Sequence, residues 1–257
     1  LSLHDALPIY LNLPGLQQQL LEEVYKTGKP VILVLASGSA LAVNWADDHV
    51  PAIIEAWYTG AEGGSAVASL IFGGFSPSGK LPVTFYKTTE ELPDFIDYSM
   101  KNRTYRYMEN VALYPFGYGL SYTKFEYKNL IISKGEIKSG ETCEVKVTVK
   151  NIGQCESEET VQLYLKDVDA SVLVPKYELK GIKKINLKPG QERQLEFELT
   201  PRQMALIDND GNCILEPGVF EVFVGGSQPD DRSIGLTGTV GKKCFFEVKG
   251  ETLQLEY

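Results

Sequence analysis

Residues 143–149 read Cys-Glu-Val-Lys-Val-Thr-Val, apolar at every odd position and polar between. Strict alternation of this kind is the mark of a half-buried β-strand, because successive side chains point to opposite faces. The same rhythm begins at Phe125, Tyr127 and residues 130–132, and recurs at Val161, Leu163 and Leu165, at Leu195, Phe197 and Leu199, and at Phe220, Val222 and Val224. Gly140, Gly153, residues 188–190 and residues 216–218 punctuate the runs. Short strands at such spacing predict a β-sandwich from residue 124 to 257.

Upstream the period changes. Leu16, Leu20 and Val24 recur every fourth residue, with Leu21 widening the stripe, which predicts an amphipathic helix ended by Gly28. Residues 31–35 form an unbroken apolar run, as expected of a strand buried on both faces, and residues 52–56 a second, weaker strand. Residues 62–72 predict a small-residue helix entered through Gly60, with Ala66, Val67 and Leu70 as its buried side. Helix, strand, strand, helix is an α/β order with a parallel sheet, closed by the turn-rich residues 73–78. The fold class is therefore α/β followed by all-β. Between the two lies an aromatic segment, residues 88–123, holding Tyr98, Tyr105, Tyr107, Tyr114, Tyr118, Phe95 and Phe116. Without regular period it reads as a linker packed across two domains, or as a site-forming loop.

The chain has 257 residues, 43% of them hydrophobic, with 34 acidic against 25 basic residues and a net charge of −9. Such a balance disfavours nucleic acid as partner, since phosphate binding needs a basic patch. The run at residues 30–36 is too short to span a membrane. Cys143, Cys155, Cys213 and Cys244 form no C-x-x-C pair and are expected to be buried thiols rather than metal ligands or disulfides. No compartment is fixed by these features, with a lean toward the cytoplasm.

Several groups invite functional readings. Residues 74–80, Gly-Phe-Ser-Pro-Ser-Gly-Lys, nearly match a phosphate-binding loop, but Leu81 stands where a magnesium-ligating Ser or Thr is needed, and the stretch follows a helix instead of a strand. Residues 37–39, Ser-Gly-Ser, lack the glycine spacing of a dinucleotide turn. Asp47 and Asp48 beside His49 resemble a metal or acid–base cluster, yet one imidazole is thin support, and a solvated turn or helix start is expected. Glu62 is expected to satisfy free N–H groups at a helix start. Residues 102–104, Asn-Arg-Thr, fit a glycosylation sequon. No cofactor or metal is expected.

Residues 57–64, Trp-Tyr-Thr-Gly-Ala-Glu-Gly-Gly, residues 75–82, Phe-Ser-Pro-Ser-Gly-Lys-Leu-Pro, and residues 115–122, Pro-Phe-Gly-Tyr-Gly-Leu-Ser-Tyr, together resemble the C-terminal half of family 3 glycoside hydrolases. Residues 175–187 resemble the signature of the fibronectin type III-like domain that ends many of those enzymes, so the resemblance runs from Leu11 to about Val240. It implies a truncated α/β sandwich domain over residues 10–87, a linker over 88–123 and a fibronectin type III-like β-sandwich over 124–257. It also implies a parent β-glucosidase or β-xylosidase that cleaves terminal β-linked oligosaccharides or aryl glycosides with retention. Retention needs two carboxylates about 5 Å apart. In the resembled family these are an Asp on an N-terminal barrel and a Glu on a loop just before Asp-Arg-x-x-Leu-x-Leu-Pro-Gly. Leu11, Leu13, Pro14 and Gly15 match that stretch, but Leu7 and Pro8 stand where Asp-Arg would be. Both carboxylates are thus expected upstream of Tyr10, the barrel is expected to be missing, and this chain alone is expected to be inactive. Residues 1–9, Leu-Ser-Leu-His-Asp-Ala-Leu-Pro-Ile, resemble a translated sequencing adapter and read as a non-native leader, which removes His4 from consideration. A non-catalytic carbohydrate-binding or scaffolding module is the competing reading.

Overall fold

The computed structural model describes residues 10–94 and 96–256. The adapter-like leader with His4, Leu7 and Pro8, and the ring of Phe95, lie outside the described residues. The chain divides into two compact units, the first comprising residues up to Phe75 with Val83–Thr104 and Met108–Pro115, the second Ser76–Pro82, Tyr105–Tyr107 and Phe116–Tyr257.

The first unit is α/β. Helix α1 (Gln17–Tyr25) is followed by β1 (Ile32–Leu35), α2 (Asn44–His49), β2 (Ala52–Glu55) and α3 (Gly63–Ile71). Strands β1 and β2 pair in parallel, Ile32 opposite Ala52 through Leu35 opposite Glu55, as the α/β order requires. Gly28 follows α1 at φ +70°, where its N–H returns to Tyr25 O at 3.1 Å. Val43, Ala46, Phe85 and Leu113 are at most 2% exposed and form the packed centre.

Three burial expectations fail here. The Leu16, Leu20 and Val24 stripe of α1 faces solvent at 76%, 64% and 42% exposure, and only Leu21 is buried. Ile32 and Val34 on β1 are 44% and 39% exposed, so that strand is covered on one face rather than two. The reason is the sheet's extent: it has two strands among the described residues, and a parallel pair this small has no second layer over that face. In α3, similarly, Ala66 is exposed and Val67 and Leu70 are half-buried, leaving Gly63 as its buried residue.

One helical turn, α4 (Thr104–Tyr107), precedes the strands. The second unit then runs β3 (Phe125–Ile132), β4 (Glu136–Lys138), β5 (Cys143–Asn151), β6 (Ser157–Asp167), β7 (Glu178–Leu187) and β8 (Glu192–Leu199). It continues through α5 (Pro201–Met204), β9 (Leu206–Ile207), β10 (Cys213–Leu215), β11 (Gly218–Gly225), α6 (Asp231–Thr237), β12 (Lys242–Lys249) and β13 (Leu253–Leu255). The strands form sheets ordered β4-β12-β11-β6-β7, β3-β5-β8 and β13-β10-β9. Pairing is antiparallel except between β4 and β12. The alternating residues meet in one core: Val145, Val147 and Val149 of β5, Val161 and Leu163 of β6, and Val222 and Val224 of β11 are all fully buried. The period-two reading therefore located a β-sandwich by its inward-facing residues.

The cysteines are free; Cys143 and Cys213 are buried, Cys155 and Cys244 half-buried. Burial pushes the Cys143 thiol up to about 11 and that of Cys244 to about 12, which makes both poor nucleophiles at neutral pH.

Candidate functional site

The glycine-rich stretches that stand out in sequence come together on β6 of the second unit. Leu81 N donates to Tyr118 O at 2.8 Å and Gly117 N to Leu81 O at 2.8 Å, so residues 76–82 and 116–122 run side by side. Ser157 Oγ donates to Ser76 Oγ at 2.9 Å and Thr160 Oγ1 to Ser78 O at 3.1 Å. Gln162 Nε2 reaches Gly117 O and Gly226 O, each at 3.0 Å, while its Oε1 accepts from Tyr164 OH at 2.5 Å. Thr160, Gln162 and Tyr164 occupy the face of β6 away from the sandwich core, and the overlying segments bury them. Gly117 is required in this arrangement, because it adopts φ +75° and a Cβ there would lie 2.2 Å from Gln162 Oε1.

Lys80, the lysine of the phosphate-loop lookalike, is largely covered and lies beside Glu159 of β6. Its Nζ donates to Gly119 O at 3.0 Å and faces Glu159 Oε2 at 3.6 Å, with side chains only 12% and 6% exposed. Glu159 Oε1 accepts from Tyr127 OH at 2.7 Å. Burial raises the Glu159 carboxyl above its usual range against the pull of Lys80, and burial together with the Glu159 charge holds the Tyr127 phenol well above 10.0. The lysine thus carries an internal ion pair in place of a phosphate.

A cavity of about 280 Å3 near the start of β7 holds two further carboxylates, Asp167 and Glu178. Glu178 Oε1 pairs with Arg106 at 3.2 Å and its Oε2 with Lys180 at 2.6 Å, so both oxygens are engaged by cations. Burial, with Glu216 and Asp169 adding negative charge, raises Asp167 from 3.8 to about 6. A carboxyl whose folded pKa is raised costs stability once ionised, so stability falls as pH rises from about 4 to about 6. Asp167 is half-buried, and screening limits this cost to about 1 kcal/mol. Asp167→Asn is expected to raise stability by about that amount at pH 7 and to leave it unchanged below pH 4, as read by denaturant melts at both values.

In the first unit the C-terminal ends of the parallel strands carry Ser37, Glu55 and Trp57. Trp57 adopts φ +53°, unusual for a bulky residue, and its N–H donates to Glu55 Oε1 at 3.0 Å. Burial raises the Glu55 carboxyl. Sequence reading missed this group, since neither the left-handed backbone nor the turn-back of Glu55 has a periodic signal.

The other sequence candidates are occupied structurally. Asp47, Asp48 and His49 lie within the short α2, Asp47 in its first turn and His49 at its end. Asp47 Oδ1 accepts from Tyr114 OH at 2.9 Å, and His49 stacks on Trp45 at 4.4 Å with its Nδ1 2.7 Å from Trp45 O. Among the described residues, no group of three His, Cys, Asp or Glu side chains could hold a metal ion. Glu62 sits at the N-cap of α3 but its side chain makes no capping bond; being exposed, it acts at most through its charge. Ser37 Oγ donates to Ser39 O at 2.8 Å, a local turn bond. Asn102 of the sequon is exposed with φ +58°. Most of the aromatic segment is packed: Tyr105 stacks on Phe116 at 4.2 Å and accepts from Leu179 N at 3.0 Å, and Tyr114 is 8% exposed, whereas Tyr98 is 89% exposed. Among the described residues no helix is long and apolar enough to cross a membrane.

Comparison with known proteins agrees with this architecture. Residues 9–122 match the glycosyl hydrolase family 3 C-terminal domain, and residues 159–228 match the fibronectin type III-like domain. A β-xylosidase of Formosa agariphila is 40% identical over 236 residues, covering 88% of this chain and 32% of that protein. A periplasmic β-glucosidase of Salmonella typhimurium is 36% identical over 227 residues, covering 84% of this chain and 30% of that one. The crystal structure of a β-glucosidase from Listeria innocua in complex with glucose superposes with a TM-score of 0.81 at 34% identity, covering 94% of this chain and 34% of that one. The chain thus spans about a third of the length of these relatives. It belongs to glycoside hydrolase family 3, of which it carries the C-terminal α/β sandwich domain and the fibronectin type III-like domain.

Proposed function

We propose that this chain is the C-terminal part of a retaining, exo-acting β-glucosidase or β-xylosidase, and that by itself it hydrolyses no glycoside. Residues 10–87 then belong to the α/β sandwich domain, 88–123 join it to the next, and 124–257 form the fibronectin type III-like domain. The nucleophilic Asp and the acid/base Glu lie upstream of Tyr10, the former on a barrel domain. The parent acts on terminal β-linked sugars. The observation that carries this reading is the span of the match, about 30% of the Salmonella β-glucosidase, together with the family 3 C-terminal domain over residues 9–122 of this chain. The cavity carboxylates support it. Glu159 is committed to Tyr127 and Lys80, and Glu178 to Arg106 and Lys180, so neither stands free to attack an anomeric carbon.

The test is hydrolysis of p-nitrophenyl β-glucoside and β-xyloside. No turnover above buffer is expected from this chain, and turnover is expected once the upstream coding region is restored. Hydrolysis by this chain that disappears in both Asp167→Asn and Glu178→Gln would overturn the proposal and place the reaction in the 280 Å3 cavity.

A further inference from the structure

A second cavity in the β-sandwich unit has no part in the chemistry proposed above. It measures about 350 Å3, and its lining includes Lys80, Glu159, Phe125 and Phe223, with Leu236 and Thr239 from α6 and the turn after it. Its volume lies at the small end of ligand pockets, which run from roughly 300 to 1,000 Å3, and suits one ring rather than a chain of them.

The polar side is unusual. The Lys80 ammonium can donate three hydrogen bonds, yet has one at normal length, to Gly119 O at 3.0 Å, and stands 3.6 Å from Glu159 Oε2. The pair is therefore in ionic range but too far apart for a good direct hydrogen bond. Glu159 is 5% exposed; its Oε1 accepts from Tyr127 OH at 2.7 Å, and its Oε2 has given up bulk water with Lys80 Nζ 3.6 Å away. A hydroxyl is the group that completes such a pair, since it accepts from the ammonium and donates to the carboxylate at once. Two adjacent hydroxyls would serve both charged groups, and Phe125 and Phe223 give the same lining its apolar residues for the remainder of the ligand. A compact ring with hydroxyls on its edge and C–H groups on its face has this pattern.

We propose that this cavity binds a single neutral sugar ring, with vicinal hydroxyls on Lys80 and Glu159 and its apolar face toward Phe125 and Phe223. The site is non-catalytic, because Glu159 is the one carboxylate among the described residues that line it, and retaining hydrolysis needs two.

The experiment is NMR titration of the full chain with D-xylose and D-glucose, following saturation transfer to the sugar and the amide shifts of Gly226 and Gly241, with glycerol and ammonium chloride as controls. Saturable binding with Kd on the order of 1–10 mM is expected for at least one sugar. Thr239→Trp, which fills the cavity without touching the ion pair, is expected to weaken it about tenfold or more. Leu236→Trp serves the same purpose should the first variant fail to fold. Absence of saturable shifts for both sugars overturns the proposal. So does an affinity unchanged in a folded filling variant, or equal shifts from glycerol or ammonium, which would reduce the site to one for water-sized donors.

Discussion

Lys80→Ala is expected to destabilise the β-sandwich by about 3–5 kcal/mol at pH 7, the range found when one partner of a buried ion pair is removed. The large cost comes from what remains. Glu159, 5% exposed, keeps its charge and its bond from Tyr127 but loses the cation 3.6 Å away. Its carboxyl is already raised by burial, and losing Lys80 raises it further. A group with a raised folded pKa loses stability as pH climbs from its unfolded value toward its folded one, so the deficit of the variant is expected to shrink as pH falls and Glu159 takes a proton. Guanidinium melts at pH 7 and pH 4.5 measure both parts. The double variant Lys80→Met with Glu159→Gln is expected to recover most of the loss, because it removes the charge that has no partner. Equal destabilisation at both pH values would show that lost packing of the lysine stem dominates.

Gly117→Ala is expected to cost about 3 kcal/mol or more. Two effects add. Gly117 holds φ +75°, where a Cβ is strained by about 1–2 kcal/mol. That Cβ would also sit 2.2 Å from Gln162 Oε1 and 2.8 Å from Tyr164 OH, so the bonds that tie residues 116–122 to β6 must shift. Gly190→Ala is the control. Its φ is +77°, but a Cβ there meets nothing within 4 Å, and only the backbone strain of about 1 kcal/mol is expected. A difference of less than 1 kcal/mol between the two variants, in melts under the same buffer, would mean that the Gln162 and Tyr164 contacts yield without cost.

The inward faces of the β-sandwich were legible because alternation reports burial on one side. Val145, Val147 and Val149, or Phe220, Val222 and Val224, needed no partner to be recognised. What alternation hides is burial of the other side. Thr160, Gln162 and Tyr164 have the polar look of a solvent face, and they are covered by segments 45 to 82 residues away in sequence. The same distance in sequence hid Lys80, whose surroundings imitate a phosphate loop until Glu159 is seen beside it. Strand β7 gave no rhythm because its pairing with β6 slips between Leu163 and Tyr164, next to Gly181, which shifts the alternation by a residue. In the α/β unit the parallel order was readable from element type, but burial was not. An apolar stripe shows that a face wants cover and cannot show whether cover is present, as Leu16 and Leu20 demonstrate. The motif resemblance carried the family, while the site-level candidates at Asp47, His49 and Glu62 resolved into helix and packing roles only through coordinates.

The uncovered side of α1 governs how this polypeptide behaves in the hands of an experimenter. Leu20, Val24, Ile32, Val34 and Tyr58 line one slot of about 500 Å3, open to water. Greasy surface of that kind makes a purified sample retain on hydrophobic resin, brighten environment-sensitive dyes while still folded, and precipitate when salted. A glutamate at position 20 is therefore a sensible first change for anyone preparing concentrated, long-lived samples for spectroscopy.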